Sequence, residues 1–218
     1  MVAVPAGQCT IGSDEEADER PRHRVWVAAF FIDRDEVTEA AYAACVAHKQ
    51  CPPLTFVEEP PGQLPVTSVS FFEAVSFCRF LGKRLPTEAE WERAATGDGN
   101  RRFPWGDQPD CAQANFGNYE GEGRCPHNPG RPIAVGHFPG ASPFGVRDLA
   151  GNVWEWVADR YRPDAYRRAQ PQSRSGNHTL RAVRGGGCCS MFGLPRAQNR
   201  LAFVADYRDI DLGFRCAR

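Results

Sequence analysis

The sequence contains no Cys-x-x-Cys pair, so its nine cysteines match no zinc-site spacing. No apolar stretch approaches the ~20 residues that cross a bilayer. The opening MVAVPAGQCTIGSDEEADERP has neither a basic start nor the apolar core of a signal peptide, about 7–15 residues long. Net charge is nearly absent as well: 26 basic and 27 acidic residues give −1, and no basic run carries interleaved aromatics. Nucleic acid and anionic membranes are therefore not expected partners. The five histidines, His23, His48, His127, His137 and His178, show neither H-x-x-x-H nor H-E-x-x-H spacing, and G-x-S-x-G and P-loop patterns are missing.

What is present describes a folded chain. Of 218 residues, 42% are hydrophobic and 24% charged, enough to bury a real core. The 21 glycines and 18 prolines are spread along the whole length, so no linker divides residues 1–218 and a single domain is expected. Nine cysteines exceed cytosolic usage for this size. Read as disulfides for the most part, they favour an extracytoplasmic setting. Cys45 and Cys51 can pair locally across CVAHKQC, and Cys111 with Cys125 can staple an aperiodic stretch that runs from about Gly97 to Gly145.

Local signals place three helices: Thr38 to about Ala47, Phe71 to Leu81, and Glu88 to Thr96. The second and third open on Ser70-x-x-Glu73 and Thr87-x-x-Glu90, in which side chains satisfy the first free backbone donors. Gly82 and Gly97 suit their ends. β-Branched or alternating runs predict antiparallel strands at Arg24–Ala28, Phe30–Asp33, Ile133–Val135, Arg181–Arg184 and Leu212–Arg215. The fold class is α+β, with little regular secondary structure and disulfide stitching.

The segments PVTSVSFFEAVSFCRFLGKRLPTEAEWERAA, FPWGD, FGVRDLAGNVWEW, RAVRGGG and DLGFRC follow one another in this order. In them the chain resembles the formylglycine-generating enzyme, or sulfatase-modifying factor, family from about Pro5 to its last residues. The resemblance implies a C-type lectin-like fold and a disulfide from Cys78 to Cys216. In the chain-entropy model a bond closing so long a loop stabilises by roughly 4–5 kcal/mol. It also implies structural calcium, with side-chain oxygens from Asp148 and Glu155 and carbonyls from Gly151 and Val153, a hard-oxygen set that Ca²⁺ accepts. The plainer alternative is that Asp148 and Glu155 cap turns and pair with arginines. A second calcium site would use Asn115 and the carbonyl of Phe116, though its downstream half is poorly matched near Cys125.

Enzymes of this family oxidise a substrate cysteine to formylglycine with oxygen and a copper ion held by two thiolates in C-x-x-x-x-C. Here the preceding motif reads Arg184-Gly-Gly-Gly187 where the family has serine, Ser190 stands at the first catalytic cysteine, and Pro195 approximately at the second. Arg200 aligns with a family arginine. The iron-dependent sulfoxide synthases that share the fold are not supported by the histidine spacing.

Cys188 and Cys189 remain near the right place. They could ligate copper, close an eight-membered disulfide ring, or pair separately with Cys9, Cys111 or Cys125, and structural pairing is the expectation. Nine is odd, so at least one thiol stays unpaired. Two functions follow. The first is a non-catalytic module that presents Met191, Phe192, Arg196, Asn199, Phe203, Tyr207, Arg208 and Asp209 to a protein, peptide or glycan, since aromatics and arginine suit recognition surfaces. Variable proteins of diversity-generating retroelements resemble this arrangement, and a sensory domain cut from a larger signalling protein is compatible with it. The second is a copper-dependent oxidoreductase with Cys188, Cys189 and Ser190 as its low-ranked catalytic candidates. Asn177-His-Thr179 fits a glycosylation sequon that chance also produces.

Overall fold

In a computed structural model the chain is described over residues 1–54, 62–117, 125–126, 128–167, 180–190 and 195–218. Four short strands come first: β1 (Val2–Val4), β2 (Gly7–Ile11), β3 (His23–Val27) and β4 (Phe30–Ile32). β1 pairs antiparallel with β4, and β2 with β3. Helices α1 (Glu39–Ala47), α2 (Phe71–Phe80) and α3 (Glu88–Thr96) follow. Then come β5 (Trp154–Arg160), β6 (Leu180–Arg184), β7 (Leu201–Val204) and β8 (Leu212–Phe214).

The helices begin where the sequence places them because their first backbone donors are satisfied locally. Thr38 accepts from Ala41 N, and both capping boxes close: Ser70 with Glu73, Thr87 with Glu90. The expected strand at Ile133–Val135 does not form. Ile133 N donates to the Asn152 side chain and Val135 N to the Gln63 carbonyl, so two donors that a ladder would use serve a loop instead. Among the described residues from 97 to 145 there is no named helix or strand, as the lack of periodicity predicts.

Strands β7-β6-β5-β8 form a four-stranded sheet in that order. Most of it is antiparallel as expected, but β8 runs parallel to β5, with Trp154 opposite Leu212 and Trp156 opposite Phe214. Alternation along the strands sends neighbouring side chains to opposite faces. Trp156 and Val183 face a core built with Tyr42, Phe77 and Phe214, whereas Val157 and Ala182 face a second core built with Trp91, Ala94 and Ile32. The sheet is thus buried on both sides.

Three disulfides tie the chain: Cys45–Cys51, Cys78–Cys216 and Cys111–Cys125. All three were expected. The second joins the buried face of α2 to the residues after β8, and the third braces a small cluster of Ala114, Phe116 and Cys125. No helix among the described residues is long and apolar enough to cross a membrane.

Candidate functional site

The turn that follows β6 carries the residues of interest. Gly185 and Gly186 take φ of 96° and 76°, a left-handed backbone that glycine adopts without steric cost. At Gly187 a Cβ would stand 2.1 Å from Asp211 Oδ2, so a serine side chain has no room unless Asp211 moves. Burial, helped by Asp209, pushes the Asp211 carboxyl up to about 6. Ser190 is buried, and its hydroxyl oxygen accepts from Gly187 N at 2.8 Å. The residue at the first catalytic position therefore closes the turn as a structural group.

Cys188 and Cys189 are not disulfide-bonded, nor is Cys9. The expectation of structural pairing at 188 and 189 fails because Cys111 and Cys125 take each other and the two neighbouring sulfurs stop 3.5 Å apart. Cys188 is only 1% exposed, and burial, reinforced by Cys189, holds its thiol well above the ordinary range. Cys189 is half-buried, with Sγ 3.4 Å from the Gly130 carbonyl. The Asn128 amide donates to the Cys188 carbonyl at 2.6 Å, which fastens the Asn128–Gly130 turn to the cysteine pair.

Pro195 stands over Gly186, and Arg200 is buried in a two-pronged ion pair with Glu88. Neither offers a thiolate, so the family's copper arrangement does not fit the matched positions.

The expected calcium donors are engaged by groups of the protein itself. Both Glu155 oxygens accept from Arg215, at 2.7 and 2.8 Å, and one also accepts from Trp91 Nε1 at 2.9 Å. Asp148 lies in a left-handed turn (φ 55°) and accepts from Gly136 N at 2.6 Å, while its own carbonyl accepts from Arg215. Glu36, which sequence reasoning passed over, is buried beside them. Its carboxyl accepts from Asn152 and Val153 N, and burial, with the charges of Asp148 and Glu155, raises its pKa well above the carboxylate range. Gly151 and Val153 belong to the turn leading into β5, where a Cβ at Gly151 would stand 2.4 Å from the Asn115 carbonyl.

An arginine already neutralises Glu155, and among the described residues no group of three or more His, Cys, Asp or Glu could hold a metal ion. At Glu155 the arginine pairing of the plainer alternative is what forms. At the second position the Asn115 amide nitrogen donates to Arg131 O and Asn152 Oδ1, while Asn115 Oδ1 has no hydrogen-bond partner among the described residues. Phe116 is buried in the small third core.

The expected binding surface divides. Arg196 and Asn199 are interior, 4% and 5% exposed, and Arg196 forms a two-pronged pair with Glu19. A charge so deeply buried needs a partner, and the acidic turn of residues 14–19 supplies it. Met191 and Phe192 lie outside the described residues, as do Asn177-His-Thr179. Phe203, Tyr207, Arg208 and Asp209 do assemble. Phe203 stacks on Tyr207 at 4.4 Å between centroids, the Tyr207 hydroxyl donates to Asp209, and Arg208 pairs with Glu73 of α2. Hydrogen bonds from Phe71 N to Ala205 O and from Ser68 N to Asp209 O hold the start of α2 against this segment. The exposed apolar side chains of Phe72 in α2, Val204 in β7 and Ile210 were missed because a single apolar residue turned to solvent carries no periodic signal.

The family model described as the sulfatase-modifying factor enzyme 1-like domain matches residues 1–218. The chain belongs to the sulfatase-modifying factor family. Within that family it is 36% identical over 205 residues to the hercynine oxygenase of Mycolicibacterium smegmatis, an alignment covering 74% of this chain and 46% of that protein. It is 30% identical over 244 residues to the serine/threonine-protein kinase pkn1 of Chlamydia caviae, covering all of this chain and 38% of the kinase. The chain thus spans less than half the length of either relative. Among solved structures it resembles Treponema denticola variable protein 1 with a TM-score of 0.77 at 22% identity, over 100% of this chain and 94% of that one. That likeness speaks for the fold alone.

Proposed function

We propose that this sulfatase-modifying factor domain is a non-catalytic recognition module that binds a protein, peptide or glycan partner through the face formed by β7, residues 205–210 and the start of α2. One observation carries the reading. Where the family's chemistry requires a thiolate, Ser190 is buried and its hydroxyl is hydrogen-bonded into the turn of Gly187. These segments carry exposed apolar side chains at Phe72, Val204 and Ile210 (53%, 45% and 68%), together with the Phe203–Tyr207 stack and the Arg208–Glu73 pair. Exposed aromatics and arginine suit recognition. The relatives include a kinase of which the match covers 38%, which accords with a sensory or targeting module in a larger protein.

The second reading, a copper-dependent oxidase, has the 3.5 Å approach of Cys188 and Cys189 in its favour. Against it stands the burial of Cys188, since binding Cu(I) requires both thiols to lose their protons. An anaerobic Cu(I) titration followed by thiol labelling, then incubation with a cysteine peptide under oxygen, separates the two. We expect no stoichiometric protection of the pair and no aldehyde. One-to-one binding with aldehyde formation would overturn the recognition reading.

A further inference from the structure

We propose that Cys188 and Cys189 are a reversible oxidation site, closed to a vicinal disulfide by exchange with a small dialkyl disulfide, and that closure releases the Asn128–Gly130 turn. The proposal goes beyond the recognition reading and does not depend on it. It rests on three placements: the sulfurs are 3.5 Å apart, one is half-buried and the other fully buried behind it, and both residues hold the same neighbouring turn.

The accessible sulfur reacts first. The Cys189 thiol loses its proton to solvent and attacks one sulfur of the disulfide RS–SR, forming Cys189–S–SR and releasing one thiolate, RS⁻. Cys188 then loses its proton and attacks the Cys189 sulfur, which breaks the mixed disulfide and releases the second RS⁻. Both thiolates take up protons. The sum is two cysteine thiols plus RS–SR giving one Cys188–Cys189 disulfide plus two RSH, so the protein is oxidised by two electrons and the reagent reduced by two. Cys188 enters second because burial disfavours its thiolate, so the mixed disulfide persists long enough to be trapped.

Closure has a structural consequence. Neighbouring Cα atoms across a trans peptide are about 3.8 Å apart, below the ~4.4–6.8 Å that disulfides prefer. The ring therefore twists the peptide that joins the two cysteines, and the group that turns is the Cys188 carbonyl, which accepts from Asn128. The same movement draws Cys189 Sγ away from the Gly130 carbonyl. Both ties to the Asn128–Gly130 turn are lost together.

The test uses the full chain incubated at graded ratios of oxidised to reduced glutathione, quenched with an alkylating agent under denaturing conditions, and read by intact and peptide mass. The three unpaired thiols of the reduced chain should fall to one, Cys9, with the 188–189 peptide two hydrogens lighter. Cys188→Ser should stop at a glutathione adduct on Cys189. Hydrogen exchange at Gly130 N, held by the Asn128 side chain, should quicken on oxidation of the wild-type chain only. Three alkylated thiols at every ratio, or a disulfide that includes Cys9, would overturn the proposal.

Discussion

Glu155 is the residue whose role changes most between sequence and structure. Its motif suggested a calcium ligand, but its carboxylate is fully buried and held by Arg215 and Trp91. Removing one member of a buried ion pair leaves the other charge without water or partner, at a cost of about 3–5 kcal/mol. Glu155→Ala should therefore lower stability by that amount in urea titrations, and equally with calcium or with chelator. A loss confined to the calcium arm would restore the ion to the site. Gly187 and Asp211 make the same point on a smaller scale. The glycine that departs from the family's serine is explained by a carboxylate 24 positions on, in a place that the local sequence does not reveal.

At the scale of elements, α3 depends on a residue of β5. Asp159 Oδ2 accepts from Glu88 N at 2.7 Å, so a strand carboxylate serves the first turn of a helix. Burial, then the charge of Glu88, pushes the Asp159 carboxyl from 3.8 to about 6. Folded chains consequently keep a proton that unfolded chains have released, and stability falls as pH rises from about 4 to 6. Asp211, also raised to about 6, contributes a slope of the same sign. Asp159→Asn keeps an acceptor and cannot titrate, so its stability measured by denaturant at pH 4, 5 and 6 should vary less than that of the wild type. An unchanged slope would remove Asp159 from the account. Element boundaries were legible where the determinants are local, as at Ser70 and Thr87. β5 was not read as a strand because its start, Trp154–Glu155, coincides with the end of a ligand motif, and its pairing with β6 and β8 involves residues about 30 and 60 positions away.

For the whole molecule, the Cys78–Cys216 bond links positions 138 apart and joins α2 to the chain end beside β8. The chain-entropy model assigns a loop of that length about 5 kcal/mol, most of the stability of an ordinary domain. Cys78→Ser should lower the urea midpoint sharply in oxidising buffer and leave little difference from the wild type once both are reduced. A small effect in oxidising buffer would mean that the two buried cores hold the sheet without the bond. Those cores, one on each face of the β7-β6-β5-β8 sheet, explain why a chain with so few regular elements is nonetheless ordered along much of its loop length.

The sequence by itself determined the three helices, the family, the three disulfide pairs and the loss of the catalytic cysteine positions. Most of these are written in residue identity and short spacing, as capping residues three apart, cysteines 6 and 14 apart, and a serine where a thiol would stand. The Cys78–Cys216 bond, spanning 138 positions, followed only from the resemblance carried by the ordered motifs. Tertiary structure alone decided that Arg215 neutralises Glu155, that Arg196 lies inside against Glu19, and that Cys188 and Cys189 meet without bonding. The physical reason is that burial and charge pairing depend on which distant residue arrives beside a group. Partners 60 to 177 positions apart leave no periodic trace in the chain that brings them together.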